Sequence, residues 1–444
     1  GTSVDFFACV VGRGHAMFHR VQSPRHLTMT QPFETGDPVA LGFDPERLSN
    51  IGPAMQQFVD DHYAPNLVTM VLRHGKLVYS HRCGYSDIES QSPVGDDTLF
   101  RLFSSTKPMA GLATLLLYEE GILTPDDPVT RFVPELKDMR VQRADGGTEP
   151  VRRDITIRDC LTNTTSLASL ADMPMSYRQM YREPLEQLGM IRSEGYKPLA
   201  INSRERMAAL AQLPLADHPG KHFIYHAGYS ILGAVLEAAS GQDMETFFRE
   251  RIFAPLGMTD SGFYVSQDQV DRFPTCYAMV RHPEGPELRV QESAADSEKV
   301  KGPPINFGVG GDAGGVVTTI TDYARFAQML LNGGELDGVR LLGRKTVDLM
   351  VANHTGEMVT PMLGLGYHFG LGVAVFHGIT GKPNIRSRGC YGWGGAAGTH
   401  HWADPEEGLL GLVFSQVHGT VIRGVWPDNE YQRAFQRLVY QSLV

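Results

Sequence analysis

No apolar run in the 444 residues approaches the roughly 18 needed to cross a bilayer as a helix, which excludes a chain that spans a membrane in that way. Cysteine is scarce. The five present (Cys9, Cys83, Cys160, Cys276, Cys390) are odd in number, widely spaced and without a CxxC pair. That argues against a disulfide framework or a structural zinc site and makes a reducing, cytoplasmic compartment the default. Positive charge is also short: Lys+Arg 40 against Asp+Glu 50 gives a net charge of −10. Such a surface repels phosphate backbones and anionic headgroups, so neither nucleic acid nor membrane is expected as a partner. No complete G-x-S-x-G occurs, since Gly228-Tyr229-Ser230-Ile231-Leu232 lacks the last glycine, and this disfavours α/β-hydrolase chemistry. The 16 histidines include no HExxH. His222 and His226 are four apart without a carboxylate companion, and the adjacent His400 and His401 would face opposite sides of a strand. No metal or cofactor is expected.

What is present is ordinary for a globular chain: 42% hydrophobic and 20% charged residues, with no internal repeat or low-complexity tract. The length allows two or three compact units or one two-lobed unit. Val4–Val11 is a short apolar stretch, but Asp5 interrupts it and no basic segment precedes it, so it reads poorly as a signal peptide. Gly12–Leu27 lack clear periodicity, and Met29-Thr30-Gln31-Pro32 reads as a natural start, so residues 1–28 are set apart as upstream sequence. Leu48, Ile51, Met55 and Phe58 recur at helical spacing. Residues 66–81 are β-rich on both sides of His74-Gly75, the pattern of a hairpin. A long apolar helix is expected from about Ser105 to Glu120, and helical patterns dominate residues 155–260, among them Ile231–Ala239. Residues 277–306, with four prolines, read as a long excursion or flap. Strands are expected at Phe369–Phe376 and Leu409–Ser415, and a last helix over Glu430–Leu443. Strands at both ends with helices between them imply one sheet assembled from the two termini, with a helical lobe inserted.

The strongest local signal is Ser104-Ser105-Thr106-Lys107, an S-x-x-K. Residues i and i+3 of a helix share a face, so the lysine amine can reach the serine hydroxyl. Pro108 lacks an N–H and belongs in a first turn, which puts the helix start near Ser104 or Ser105, at the positive end of the macrodipole. A serine there, with an amine beside it, is built as an activated nucleophile. Two further pieces follow: Tyr225 just before an apolar helix, and the glycine-rich Gly392-Trp393-Gly394-Gly395-Ala396-Ala397-Gly398-Thr399 before a strand. For His226 and Tyr229, beside Tyr225, an ordinary structural role is weighed at least as heavily as a place in the cleft wall.

In this order the motifs resemble the serine β-lactamase and penicillin-binding-protein superfamily, and most closely the family VIII carboxylesterases, over about residues 41–444. The resemblance implies an α/β fold of the β-lactamase/transpeptidase type, an antiparallel sheet flanked by helices with an inserted helical domain. Residues 29–100 and 307–444 would form the discontinuous α/β domain. Residues 101–306 would form a mainly helical one, with the flap-like excursion near 277–306. It further implies Ser104 as nucleophile, Lys107 as its general base and Tyr225 sharing proton transfer. The backbone N–H groups of Ser104 and Ala396 would form the oxyanion hole, and Trp393, Gly394, Gly395 and His226 would contact substrate.

Two departures direct the substrate class. β-Lactamases carry Tyr-x-Asn, and here the third position is Ala227; their Lys-Thr-Gly is matched by Trp393-Gly394-Gly395. Lys345-Thr346-Val347 and His354-Thr355-Gly356 look like that triad but precede no glycine-rich C-terminal strand. Losing one charge-assisted contact costs about 1.5–3 kcal/mol, ten- to hundredfold for an anionic substrate and little for a neutral ester. The expectation is a serine carboxylesterase acting on small, neutral, short-acyl or aryl esters, with weak β-lactam hydrolysis at most. Lys107 can serve as base only if its pKa falls well below about 10.4, which burial and the helix N-terminus favour. Trp393 is expected to flank the acyl or alcohol pocket. The alternatives are an acyltransferase, D-aminopeptidase or β-lactamase of the same superfamily, and, in another class, a catalytically silent binding or scaffold member.

Overall fold

The computed structural model describes residues 33–167, 203–225, 227–300, 309–310, 315–358, 360, 363–378, 384–418 and 429–444. His226, the segment 1–28 and part of the predicted helical middle lie outside them. The N-terminal helices α1 (Pro45–Ser49) and α2 (Ile51–Asp60) precede strands β1 (Asn66–Arg73), β2 (Lys76–Asp87) and β3 (Ser92–Pro93). Strand β4 (Phe100–Arg101) leads through a 3₁₀ turn into helix α3 (Lys107–Glu119); α5 (Gly228–Ser240) packs against α3, and α4 (Ile157–Leu161) packs against α5. Strands β5 (Cys276–His282) and β6 (Gly285–Glu292) form a hairpin; β7 (Val317–Thr318) and α6 (Ile320–Leu331) follow. The C-terminal part supplies β8 (Tyr367–Phe369), β9 (Ala374–Phe376), β10 (Tyr391–Gly394), β11 (His400–Asp404), β12 (Leu409–Phe414), β13 (Val417–His418) and helix α7 (Glu430–Gln441).

The main sheet has eight strands in the order β8-β9-β10-β11-β12-β1-β2-β3, antiparallel at every pairing. Its centre joins strands more than 300 residues apart in sequence, Val68 facing Phe414 and Arg73 facing Leu409. Side chains alternate between two buried layers. Val68, Met70, Leu72, Leu410, Leu412 and Phe414 pack with α3 and α6, whereas Leu67, Val71, Leu409 and Val413 pack with α2 and α7. Because both faces are covered, the central strands read as unbroken apolar runs, and a one-residue slip would exchange the two layers. The β1–β2 turn is the predicted two-residue hairpin: His74 and Gly75 both take positive φ (51° and 77°), as a type I′ turn requires.

Three sequence expectations need correction. Phe369–Phe376 is not one strand. β8 and β9 are separate antiparallel partners, reversed at Gly370–Val373, where Gly372 sits at φ 99°. The 277–306 excursion begins as a docked hairpin rather than a loose flap: β5 pairs in parallel with β13, and Cys276, Tyr277 and Met279 are buried. Ser104 lies not in the α-helix itself but in the 3₁₀ turn Phe103–Thr106. Pro108 has no N–H to offer the Ser104 carbonyl, so Lys107 N–H takes it one residue earlier, and that tighter closure makes the turn 3₁₀. Among the described residues no helix is long and apolar enough to cross a membrane.

The placement of α3 depends on a glycine within it. A Cβ at Gly111 would stand 2.3 Å from the Leu371 carbonyl oxygen and 3.1 Å from Met350 Cε. A Cβ at Gly372, on the same β8–β9 turn, would stand 2.8 Å from the Lys107 carbonyl oxygen. Backbone thus meets backbone where helix crosses turn. Gly111→Ala sets about 1 kcal/mol of helix propensity against about 1–3 kcal/mol of overpacking at a carbonyl that cannot swing aside. We expect overpacking to win, with a melting temperature a few degrees lower; an unchanged or higher value in thermal unfolding would contradict the close-approach account.

Candidate active site

The chain reaches Ser104 through a strained residue. Phe103 takes φ 46°, a left-handed conformation that costs a side-chain-bearing residue about 1 kcal/mol or more. Its ring is braced edge-on against His418 of β13, with centroids 4.7 Å apart. Burial and the nearby Arg101 cation push the His418 pKa down to about 4, opposed by Glu292, so the imidazole is neutral near pH 7. Arg101, 1% exposed, ties β4 to the β5–β6 hairpin: it pairs with Glu292 (2.8 Å), donates to Pro274 O (2.8 Å) and covers the Phe273 ring at 3.7 Å.

Ser104 is half-buried, whereas Lys107, on the first turn of α3, is completely buried. Lys107 Nζ donates to Ser104 Oγ at 3.0 Å and to the Gly310 carbonyl. The amine also lies 4.6 Å from the Tyr225 ring centroid and 5.1 Å from that of Tyr229, so two aromatic faces cover it. Tyr225 is half-buried, and the indole N–H of Trp393 donates to its hydroxyl at 3.2 Å. Three of the residues singled out in the sequence, Ser104, Lys107 and Tyr225, are therefore brought together around one amine.

Of the neighbours, Trp393 departs from expectation and Tyr229 takes the structural one of its two expected roles. Trp393 is 2% exposed, packed edge-on to Phe369 (5.0 Å) and tilted against Tyr225 (5.6 Å), so it buttresses the phenol rather than forming an open pocket wall. Tyr229 is wholly buried with its hydroxyl donating to Leu161 O (2.9 Å), and burial pushes its phenol pKa well up. It supports the amine from below and has no place in the cleft wall. Phe223, stacked on Tyr225 at 6.4 Å, is half-buried and extends the aromatic cluster. His226 lies outside the described residues.

The β10–β11 turn meets the nucleophile turn directly. A Cβ on Gly395 would stand 2.0 Å from Leu102 O, which is why glycine occupies that position; Gly394 pairs with His400 at the end of β10. Within the turn, Gly395 N–H donates to Thr399 O (2.7 Å), Gly398 N–H to Gly395 O (2.9 Å), and Ala397 O accepts from Val417 N–H (2.9 Å). The bonds that close this turn and the 3₁₀ turn (Ser105 N–H to Leu102 O, 3.0 Å) use neither the Ala396 nor the Ser104 amide, and Ala396 is exposed.

Sequence reasoning passed over several residues on which this geometry depends. Thr106 Oγ1 accepts from Val316 N–H (3.0 Å), and Leu102 N–H donates to Val316 O (2.9 Å), fixing the start of β7 against the nucleophile turn. Lys299 is a second buried amine, donating to Phe263 O (2.8 Å) and Gly315 O, and burial with the Arg101 cation pushes its pKa down to about 7. Asn163 and Ser166, both at positive φ (60° and 59°), hold the loop before α5, Asn163 O accepting from Ile224 N–H at 2.7 Å. No spacing rule marks these; only the two central residues of the S-x-x-K offered a signal, as small hydroxyl side chains at a helix start. The triplets that resembled Lys-Thr-Gly lie elsewhere: Lys345 is exposed and pairs with Asp348 (3.1 Å), and His354 contacts Arg158 near 2.5 Å.

With this geometry in hand, the similarities are specific. The profile described as Beta-lactamase matches residues 53–432. Protein Rv1367c of Mycobacterium tuberculosis (strain ATCC 25618 / H37Rv) is 33% identical over 82% of this chain and 88% of its own length. Esterase EstB of Burkholderia gladioli is 33% identical over 54% of this chain and 57% of its own length. Among solved structures, EstCE1, a hydrolase with promiscuous acyltransferase activity, superposes with a TM-score of 0.70 and 25% identity, covering 90% of this chain and 100% of that one.

The Trp393–Tyr225 hydrogen bond yields a prediction. Trp393→Phe keeps an aromatic ring against Phe369 and removes the indole N–H. Loss of a bond of about 1–1.5 kcal/mol should slow covalent labelling of Ser104 by a fluorophosphonate about tenfold, while the smaller buried ring lowers the melting temperature by a few degrees without unfolding the protein at assay temperature. An unchanged labelling rate would show that the phenol needs no such support.

Proposed function

The chain belongs to the beta-lactamase family, and on that premise we propose that it is a serine carboxylesterase acting through an acyl-enzyme on Ser104. The observation that carries the reading is the 3.0 Å contact between a buried amine, Lys107 Nζ, and a half-buried hydroxyl, Ser104 Oγ. It is supported by the likeness to an esterase and to a hydrolase with acyltransferase activity.

In this mechanism neutral Lys107 takes the Ser104 proton as Oγ attacks the ester carbonyl. The tetrahedral oxyanion is received by the Ser104 and Ala396 amides, and each such donor is worth about 10²–10³ in rate. Lys107 and Tyr225 deliver the proton to the leaving alkoxide as the C–O bond breaks. Water, deprotonated along the same route, attacks the acyl-enzyme; Ser104 regains its proton as it leaves and the acid is released. An alcohol in place of water would give a new ester, and this acyl-transfer reading is the specific second one, favoured by the EstCE1 likeness.

The substrate class is a small neutral ester with a short acyl or aryl group. The position equivalent to the lysine of Lys-Thr-Gly is the buried Trp393, so a substrate carboxylate finds no cation there, and β-lactams are poor substrates. Neither a nucleic acid nor a membrane surface fits a net charge of −10. A cytoplasmic location is in keeping with Cys83, Cys160, Cys276 and Cys390, all free and buried thiols.

On a short-chain p-nitrophenyl ester, Ser104→Ala and Lys107→Ala should each lower kcat about 10³-fold or more, and Tyr225→Phe should lower it less. Ser104→Ala retaining more than about a tenth of the activity would refute the assignment. Nitrocefin turnover as efficient as ester turnover would overturn the proposed substrate class.

A further inference from the structure

The S-x-x-K turn carries a second device besides the nucleophile and the amine. Thr399, at the end of the β10–β11 turn, is completely buried, as are Ser105 and Leu102. Its Oγ1 lies 3.1 Å from the Leu102 carbonyl oxygen and 2.9 Å from Ser105 Oγ. A hydroxyl has one proton, and the Leu102 carbonyl can only accept. The bonds therefore run in one direction: Ser105 Oγ–H to Thr399 Oγ1, and Thr399 Oγ1–H to Leu102 O. Leu102 O accepts Ser105 N–H as well (3.0 Å), so one carbonyl gathers the 3₁₀ turn and the distant β10–β11 turn together. Thr399 O in turn accepts Gly395 N–H (2.7 Å), and Gly395 has no room for a Cβ beside Leu102 O. The residues joined in this way flank Ser104 on one side and Ala396 on the other.

We propose that Ser105 and Thr399 are positioning residues whose hydroxyl chain fixes the Ala396 amide relative to Ser104, and so sets the geometry of the oxyanion hole. This rests on the acyl-enzyme reading, because the hole has a role only if an oxyanion forms. Neither side chain touches substrate; both act through the two turns. Their effect belongs to the transition state, where the developing negative charge must meet both amides at about 2.7–3.1 Å, and not to ground-state binding. The strength of the link comes from burial. Its three polar groups are shut off from water, so a missing hydroxyl leaves an unsatisfied partner that water cannot reach.

Thr399→Val keeps shape and volume and deletes the hydroxyl; Ser105→Ala deletes the other; Thr399→Ser keeps it. With a short-chain p-nitrophenyl ester, Thr399→Val and Ser105→Ala should each lower kcat about 10- to 100-fold, with KM changed less than about threefold. Fluorophosphonate labelling of Ser104, which develops charge at the same amides, should slow in parallel. The double variant should lose little more than either single one, since both break one chain. Thr399→Ser should stay within about threefold of the parent. Wild-type kcat in Thr399→Val and in Ser105→Ala would overturn the proposal, as would an equal loss in Thr399→Ser or a loss confined to KM. Should Thr399→Val fail to fold, Ser105→Ala decides alone. Ser104→Ala in the same assay keeps the questions apart: activity surviving there refutes the esterase reading, whereas activity lost there but intact in Thr399→Val refutes only the hydroxyl link.

Discussion

A wholly buried amine and a half-buried hydroxyl stand 3.0 Å apart at the start of α3, and much of the molecule is arranged to hold that separation. Taking a lysine amine out of water costs several kcal/mol unless acceptors and polarisable surfaces replace the solvent. Lys107 donates to the Gly310 carbonyl on one side and is covered by the faces of Tyr225 and Tyr229 on others. Tyr229 is itself held by Leu161 O, and Tyr225 by the Trp393 indole. Thr106 Oγ1 in turn accepts from Val316 N–H and ties β7's approach to the tetrapeptide. Lys299 steadies the same stretch at Gly315 O. Ser105, Thr106 and Lys107 thus each join a different part of the fold to the helix start.

Close backbone approaches make this crowding possible. Gly111 lets α3 lie against the β8–β9 turn, and Gly395 lets the β10–β11 turn lie against Leu102. The central sheet fixes both turns relative to α3, since its middle strands are buried on two faces and admit one register. Arg101 adds the β5–β6 hairpin through Glu292, at the cost of desolvating a guanidinium. Rigidity at the turn therefore derives from long-range packing, and the left-handed Phe103 just before Ser104 is tolerated because His418 and the hairpin confine it.

Much of this was legible in the chain. The helices after Ser104 and Tyr225, the His74-Gly75 hairpin and the C-terminal strands follow from apolar periodicity and turn chemistry, which act within a few residues. The spacing of Ser104 and Lys107 also forecast a contact within one turn of helix. What could not be read was pairing at a distance. The Ser105–Thr399 bond spans 294 residues, and Trp393 lies 168 from Tyr225. Hydroxyl and indole groups carry no periodic signature, so nothing in the sequence distinguished a buried Trp393 holding a phenol from one lining a pocket. The strand expected over Phe369–Phe376 failed for a local reason: Gly370 and Gly372 interrupt an apolar run that period alone cannot divide. The β5–β6 hairpin was missed because its exposed strand, β6, carries polar residues and Pro286 at an edge, where proline costs no ladder bond.

The most direct test of the central claim is chemical and needs no substitution to be interpreted. The protein is mixed with a short-chain p-nitrophenyl ester, quenched in acid during turnover, digested and mapped by mass spectrometry. The account predicts an acyl increment on the peptide containing Ser104, at that side chain, appearing and decaying with the burst of p-nitrophenol. Sustained turnover with no adduct at Ser104, or an adduct on another nucleophile, would contradict it.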